Sequence, residues 1–459
     1  MTAVQESVYD ASPIWVQNFL VTMYGHKIKR TRFRKDYFRF LDGFRNKDYS
    51  DLESELAFQA RELRRLLRHA KAHSPYYRDM FKDIDVESIN SLSDLRQLPI
   101  LEKEELRANI SDFYTISPRN AVKAYTGGTT GKSLMVYYTK TDFQKRMAYL
   151  DAFKIRCGVD PFKDKKATFS GRSFARGIFT KNRTIFWRSN FAYRQKLYST
   201  FDLAEANLPY YLADLNKYRP DIINGFVSAI YELAKYITAN NCRLDFQPKA
   251  IFTTSETLLP FHREAIERAF NTRIFNQYAS AEGAPFVTEC IAGNLHYNID
   301  TGVIEVMDDD EVLVTSFTSY GTPLIRYRIG DSIKLKEGSC TCGSAHPLVE
   351  SIEGRKVEYL LSRSRGKISL SHLADVIKGV ANGVREMQFI QEKIDLLRVK
   401  IVIDENYYNE AIEGKIFKEM KYRFGEDSQI LLEQVEFIER EPSGKKTLVK
   451  RFIEEESLA

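Results

Sequence analysis

Between about residue 121 and residue 330 the chain alternates short β-rich runs with helical ones, and no other feature restricts its fold as much. Val136-Tyr137-Tyr138 and Ile251-Phe252-Thr253-Thr254 read as strands, while 143–154, 210–218, 229–239 and 260–270 read as helices. Strands separated by helices layer around a largely parallel sheet, because a parallel neighbour needs a crossover long enough to hold a helix. Residues 299–335 read instead as strands and turns, with a hairpin whose arms, 302–307 and 312–315, flank the acidic turn Asp308-Asp309-Asp310-Glu311. Near Gly354-Arg355 the character changes again, and 357–459 reads as a compact α+β unit with strands at 397–403 and 434–438.

In sheets of this kind anionic ligands bind in loops beyond the carboxyl ends of strands, and one loop has matching chemistry. Tyr125-Thr126-Gly127-Gly128-Thr129-Thr130-Gly131-Lys132-Ser133 joins glycines, which let backbone N–H groups approach an anion, to threonine hydroxyls and a lysine charge. A triphosphate suits that set. The loop is not a Walker A motif, which needs four residues between its first glycine and the Gly-Lys pair, whereas three separate Gly127 from Gly131. An ordinary surface turn is the competing reading.

Lys and Arg number 68 and Asp and Glu 62, an excess of 6 that suits an anionic small ligand but does not imply nucleic acid. No stretch reaches the ~18 apolar residues of a membrane span, and Met1-Thr2-Ala3-Val4-Gln5-Glu6 lacks the basic start of a secretory signal, so a cytoplasmic protein is expected. Residues 13–23 are apolar and aromatic, and His26-Lys27-Ile28-Lys29-Arg30-Thr31-Arg32-Phe33-Arg34-Lys35 follows at once. Such a segment either lies on a membrane surface or, as expected here, forms a helix whose apolar side packs on its own domain. Leu56, Ala60, Leu63, Leu67 and Ala70 repeat at helical spacing and predict a packed amphipathic helix.

Five scattered cysteines argue against a disulfide framework. Cys290, His296, Cys340 and Cys342 offer four soft or borderline ligands, the number that a closed tetrahedral Zn²⁺ site needs, with His346 as a substitute. The alternative is a buried apolar Cys290 and a plain turn at Cys340-Thr341-Cys342-Gly343.

Three further clusters complete the inventory: Asn276-Gln277-Tyr278-Ala279-Ser280-Ala281-Glu282, Arg326-Tyr327-Arg328-Ile329-Gly330-Asp331 and Pro442-Ser443-Gly444-Lys445-Lys446. The first offers an aromatic face and a carboxylate for Mg²⁺, the second an aspartate suited to ribose hydroxyls, and the third lysines on a turn. Taken singly, an aspartate after a glycine and a Ser-Gly-Lys-Lys loop are ordinary turn residues.

In order, Thr-Gly-Gly-Thr-Thr-Gly-Lys, Tyr-x-x-x-Glu, Tyr-Arg-x-Gly-Asp, Gly-Arg and Ser-Gly-Lys resemble the motif series of adenylate-forming enzymes. Ser12-Pro13-Ile14-Trp15-Val16-Gln17-Asn18, Ser74-Pro75-Tyr76-Tyr77-Arg78, Leu98-Pro99-Ile100-Leu101, Phe186-Trp187-Arg188-Ser189-Asn190 and Thr254-Ser255-Glu256-Thr257-Leu258 are similar to the phenylacetate-CoA ligase branch, and within it to capsule-biosynthesis proteins. The resemblance covers nearly the whole chain.

It implies an α/β architecture: a large multilayer N-terminal adenylation domain, 1–354, with a small β-rich subdomain, and a small mobile α+β C-terminal domain, 355–459, hinged near 355–358. It also implies an AMP-forming carboxylate ligase that makes an acyl-adenylate from ATP and passes the acyl group to coenzyme A. Thr126, Gly127, Gly128, Thr129, Thr130, Gly131 and Lys132 would cradle the β- and γ-phosphates, and Glu282 would bind Mg²⁺. Tyr278 would stack on adenine with Ser255 and Glu256 along its edge, and Asp331 would hold the ribose with help from Arg355. Lys445 would be the mobile catalytic lysine, with Lys446 its rival. Relatives among the phenylacetate-CoA ligases often carry a similar Cys/His set with bound zinc, and the resemblance implies a structural Zn²⁺ site here.

Departures from the pattern lie near the acyl site: Ala279 replaces a glycine, Gly225-Phe226-Val227-Ser228 stands for Gly-Tyr-Pro-Ser, and Lys356-Val357-Glu358 follows Gly354-Arg355 in place of an acidic pair. They leave the acid open. An amine, such as an amino sugar in capsule or surface-polysaccharide synthesis, or a carrier-protein thiol is the alternative acceptor, and a non-catalytic nucleotide-binding scaffold is the alternative outside enzymes. The oligomeric state is open, a homodimer included.

Overall fold

The computed structural model describes residues 9–125, 134–170, 184–308, 310–355, 359–364, 366–368, 373, 376–377, 380, 383–441 and 444–453. Three helices come first, α1 (Ile14–Arg32), α2 (Lys35–Asn46) and α3 (Leu52–His73). α3 is the amphipathic helix that the sequence predicts, although Leu56 of the expected stripe is exposed. Asp51 caps it by accepting from the backbone N–H groups of Glu53 and Ser54, and Leu63, Leu66, Leu67 and Ala70 enter the core. A hairpin follows, β1 (Val122–Tyr125) and β2 (Met135–Tyr138), then α4 (Lys140–Arg156), whose first turn is closed by a reciprocal Thr139–Asp142 capping box.

The α/β region is built from β3 (Lys166–Ser170), β4 (Trp187–Asn190), β5 (Gln195–Ser199), α5 (Leu208–Tyr218), β6 (Ile222–Gly225), α6 (Val227–Ala239), β7 (Ala250–Thr253), α7 (Pro260–Phe270) and β8 (Ile274–Tyr278). A second run of strands comprises β9 (Val287–Glu289), β10 (Leu295–Tyr297), β11 (Gly302–Val306), β12 (Glu311–Ser316), β13 (Tyr327–Lys336) and β14 (Leu348–Arg355). Among the described residues the two runs join in one 12-stranded sheet of order β11-β12-β13-β14-β10-β9-β8-β7-β6-β3-β5-β4. Strands β5, β3, β6, β7 and β8 are parallel neighbours in that order, as the helical crossovers require. β9 to β14 pair antiparallel, as expected of short connections. At the end of β6 a Cβ on Gly225 would come within 2.4 Å of the Phe169 carbonyl oxygen, so the close approach of β3 and β6 requires glycine there.

Beyond β14 lie the hairpin β15 (Leu360–Ser362) and β16 (Gly366–Ile368), and then β17 (Val384–Lys393), β18 (Leu396–Ile403), α8 (Glu410–Phe424), β19 (Gln429–Gln434) and β20 (Val449–Arg451). The last four strands form a separate sheet of order β19-β18-β17-β20. Its core includes Phe389, Val399, Ile401, Ile416, Met420 and Phe424, and Leu259 from the main body reaches into it. The strand expected at 434–438 lies earlier, at Gln429–Gln434, because register with β18 from Leu396–Gln429 to Ile401–Gln434 uses that segment.

The expectation for residues 13–23 is overturned. α1 forms, yet its aromatic side faces outward and its polar side packs on the domain. No helix among the described residues is long and apolar enough to cross a membrane.

Candidate functional site

β6, β7 and β8 all end at one cleft of ≈ 2360 Å³. A pocket for one small ligand holds roughly 300–1,000 Å³, so this is a cleft between two bodies, the parallel sheet on one side and the second sheet with its 436–452 segment on the other. The strand ends supply Phe226, Val227 and Ser228, then Ser255 and Glu256, then Ala279 to Glu282, all lining it.

Two of the predicted nucleotide residues meet directly. The Tyr278 hydroxyl at the end of β8 donates to Asp331 Oδ2 on β13 at 2.6 Å, across 53 residues of sequence. Ser280 Oγ accepts from the backbone N–H groups of Gly283 (3.1 Å) and Ala284 (3.0 Å), which holds the turn carrying Glu282 in place. Arg146 braces the same turn, donating to the Ser280 carbonyl at 3.1 Å and to Thr318 Oγ1 at 2.7 Å. Glu282 itself is 4% exposed, and its Oε1 has no hydrogen-bond partner among the described residues. A buried carboxylate oxygen left unpaired is costly, and a hard divalent cation is the partner that oxygen chemistry suits.

Ser255 adopts φ +68°, which turns the chain so that the half-buried Glu256 reaches back to α6. Glu256 accepts from the Ser228 N–H at 2.7 Å and the Ser228 hydroxyl at 3.0 Å, so it caps the start of that helix. Burial raises the Glu256 pKa above the ordinary carboxylate value, against the opposing pull of the Ser228 hydrogen bonds, Arg440 and Lys445. The backbone N–H of Lys446 also donates to Glu256, at 3.3 Å.

That last contact belongs to a docked turn. The Gly444 carbonyl accepts from Arg440 at 3.1 Å and from the Thr200 hydroxyl at 3.3 Å. Lys446 Nζ donates to Glu232 Oε1 on α6 at 2.5 Å and to Glu386 Oε2 on β17 at 2.7 Å, while Arg440 pairs with the other Glu232 oxygen at 3.0 Å. The ammonium of Lys445 has no such partner among the described residues and lines the cleft. The two neighbouring lysines, equivalent in the sequence, therefore hold different positions.

The phosphate-loop residues Thr126, Gly127, Gly128, Thr129, Thr130, Gly131 and Lys132 lie outside the described residues, as do Lys356, Val357, Glu358 and Ser443. For Arg355 only the backbone is described, paired in register opposite Asp331. Arg326 and Arg328, in the same motif as Asp331, are structural: Arg326 pairs with both oxygens of Glu305, and Arg328 binds Glu102 and Glu311. Sequence reasoning missed Glu232, Glu386 and Arg440. Lone charged residues on a helix, a strand and a loop carry no local signal, and only their convergence on the turn reveals them.

The cysteine cluster closes beside this cleft. Cys290 sits in the β9–β10 turn, His296 on β10, and Cys340 and Cys342 in the β13–β14 connection, with one ligand atom from each lying within 4.8 Å of the others. Cys290 Sγ and Cys340 Sγ are 3.6 Å apart, and Cys342 Sγ is 3.4 Å from His296 Nε2. A tetrahedral zinc ion with its usual bond lengths sets these edges at about 3.8 and 3.5 Å, so the donor set fits it. His296 Nδ1 meets the His346 carbonyl at 3.1 Å, which leaves Nε2 facing the thiols. Burial lowers the His296 pKa and keeps the ring in the neutral form that binds metals. Burial pushes the Cys342 thiol up to about 12, whereas at Cys340 hydrogen bonds from Cys342, Asn294 and Cys290 outweigh burial and lower it. His346 is not a substitute ligand: its ring nitrogens meet Glu55 Oε2 at 3.1 Å and Asn298 Oδ1 at 3.3 Å. All five cysteines are free of disulfides.

The family described as CapK C-terminal domain matches residues 360–452. Protein CapK of Staphylococcus aureus is 34% identical over 446 residues, covering 96% of this chain and 97% of that protein. A phenylacetate-coenzyme A ligase of Thermus thermophilus is 22% identical over 381 residues, covering 77% and 82%. Among solved structures, a 2-hydroxyisobutyryl-CoA ligase in the postadenylation state, in complex with 2-HIB-AMP, has a TM-score of 0.69 at 17% identity, over 87% of this chain and 90% of that one. It shares the fold.

Proposed function

Because the chain belongs to the CapK family, within the adenylate-forming superfamily, we propose that it is an ATP-dependent, AMP-forming carboxylate ligase. A carboxylate oxygen attacks the α-phosphorus of ATP and pyrophosphate leaves; the thiol of coenzyme A then attacks the acyl carbon, and AMP leaves. The observation that carries this reading is the convergence of Tyr278, Asp331, Glu282 and Lys445 on one cleft, from three separated sequence motifs.

Asp331 accepts the ribose hydroxyls and Tyr278, oriented by its bond to Asp331, offers its ring to the adenine. Ser255 and Glu256 lie along the base edge, although Glu256 is already engaged with Ser228, so its part is to shape that wall. Thr126 to Lys132 cradle the β- and γ-phosphates, and Arg355 supports the ribose. Glu282 holds a Mg²⁺ ion, which when bound offsets the phosphate charge. Lys445 donates to the oxygens on which negative charge gathers as the carboxylate meets the α-phosphate. Domain rotation about 355–358 then withdraws the 444–446 turn and admits the acceptor. Cys290, His296, Cys340 and Cys342 hold a structural Zn²⁺ ion; four protein ligands leave no position for a reacting water.

The test is pyrophosphate release screened over aryl, fatty and amino acids, with and without coenzyme A, followed by mass analysis of the product. A thioester is the expected product. An amide or a carrier-bound acyl group moves the acceptor to the capsule-type alternative, and ATP binding with no pyrophosphate from any acid makes the chain a scaffold. Asp331→Ala is expected to raise the ATP KM about tenfold or more with a smaller change in kcat, since a charge-assisted hydrogen bond used in ground and transition states is worth about 1.5–3 kcal/mol. An unchanged ATP KM removes Asp331 from the nucleotide site.

A further inference from the structure

Helix α1 carries its polarity in the reverse sense to a helix that merely covers its own domain. Its inner side is polar and lies along β4, the edge strand of the large sheet. Gln17 Oε1 accepts from Arg188 Nε at 2.5 Å, Asn18 Oδ1 accepts from the Ser189 N–H at 2.8 Å, and the Thr22 hydroxyl accepts from the Phe191 N–H at 3.2 Å. Lys29 Nζ donates to the Ala192 carbonyl at 3.2 Å. At Gly25 the two elements approach so closely that a Cβ would come within 2.4 Å of Asn190 Oδ1. These contacts fix which side of the helix points out.

That outer side is apolar. Trp15 is 73% exposed, Phe19 59%, Met23 52% and Tyr24 55%. Trp15, Phe19 and Met23 recur at i, i+4 and i+8, a stripe of about 12 Å at 1.5 Å per residue. It continues along the same face into Lys27 and Arg30, which form no ion pair among the described residues, and Arg34 and Lys35 are exposed just beyond. Large side chains left outward while amides and hydroxyls are turned inward mark a contact surface, for a membrane or for another protein.

We infer that this face binds the surface of an anionic lipid bilayer, with α1 lying in the interface plane. Trp15, Phe19 and Met23 enter the boundary between headgroups and acyl chains, while Lys27 and Arg30 meet lipid phosphates. Charge decides between this occupant and a second copy of the chain. Residues 14–32 include no Asp or Glu, so a second copy of this face offers Lys27 and Arg30 no acidic partner, whereas an anionic surface complements both halves of the stripe. Attachment here leaves the catalytic cleft, whose lining includes no residue of α1, free to turn over.

The full-length chain is to be mixed with vesicles of phosphatidylcholine alone and of phosphatidylcholine with phosphatidylglycerol, and sedimented. Binding to the anionic vesicles is expected, weakening as salt contracts the Debye length, with a blue shift in Trp15 emission; the only other tryptophan, Trp187, packs against a core cluster. The double variants Trp15→Ser/Phe19→Ser and Lys27→Glu/Arg30→Glu should each reduce binding about tenfold or more. All of these side chains are exposed, and unchanged circular dichroism and melting confirm that the fold is kept. No binding to phosphatidylglycerol vesicles, or undiminished binding by both double variants, overturns the inference. A concentration-dependent dimer that Trp15→Ser/Phe19→Ser abolishes, without vesicle binding, gives the face to a second copy instead.

Discussion

Lys445→Ala is expected to lower acid-dependent pyrophosphate release by on the order of 10²-fold or more, close to 2.7 kcal/mol of transition-state stabilisation, while the ATP KM changes little. The asymmetry follows from where the charge is needed. Lys445 lines the cleft and acts on Glu256 through its field, yet forms no ion pair among the described residues, so its ammonium can meet charge that appears only as the carboxylate and the α-phosphate join. Lys446 is the internal control, because its ammonium is already shared by Glu232 and Glu386. Lys446→Ala should loosen the docked turn and lower the melting temperature without the same loss in rate. The pair of variants separates the two roles: full activity in Lys445→Ala together with an inactive Lys446→Ala would transfer catalysis to the neighbour.

The second large effect concerns the metal. Purified protein should contain about one Zn²⁺ per chain, by the four-ligand count, and Cys340→Ser should lose it. Cys340 is the most connected of the four ligands, facing Cys290 at 3.6 Å and receiving the Asn294 amide at 3.3 Å and the Cys342 N–H at 3.5 Å. The ion would tie the β9–β10 turn to the β13–β14 connection, and both regions border the cleft through Gly293, Asn294 and Lys336. Binding free energy at a site that exists only in the folded chain is folding free energy. A loss of a few kcal/mol lowers the melting temperature by about 3–6 °C in a body of this size, with kcat at low temperature much less affected. Metal analysis that finds no zinc in protein prepared without chelators, or a Cys340→Ser variant with full zinc content and stability, returns the cysteines to ordinary packing.

How much of this was legible beforehand depends on the range of the interaction concerned. The helices at 210–218 and 260–270, and the hairpin around the acidic turn, follow from periodicity and turn chemistry, which act over a few residues. They appear as α5, α7 and β11–β12 within two residues at each end. The expected strand at 434–438 fails for the opposite reason. Its apolar residues look equally suited to a strand, and only pairing with β18 selects Gln429–Gln434.

The four zinc-ligand candidates could be counted in the sequence, but two halves separated by more than forty residues carry no distance information. His296 and His346 were equally available there. The fold separates them by turning His346 toward Glu55 and Asn298 and leaving His296 Nε2 against Cys342.

By itself the sequence determined the layered α/β plan, the kinship of the motifs and the residue types able to hold a nucleotide, because each depends on local spacing and side-chain chemistry. Tertiary structure alone decided which of two adjacent lysines is free, which histidine can face the thiols, and which side of α1 looks outward. Each of those outcomes is settled by partners distant in the chain: Glu232 and Glu386 for Lys446, Glu55 for His346, and Arg188 and Asn190 for the inner side of α1. A helical period shows that a segment has two faces, but which face is buried depends on the surface it meets, and β4 offers α1 hydrogen-bonding groups instead of an apolar wall.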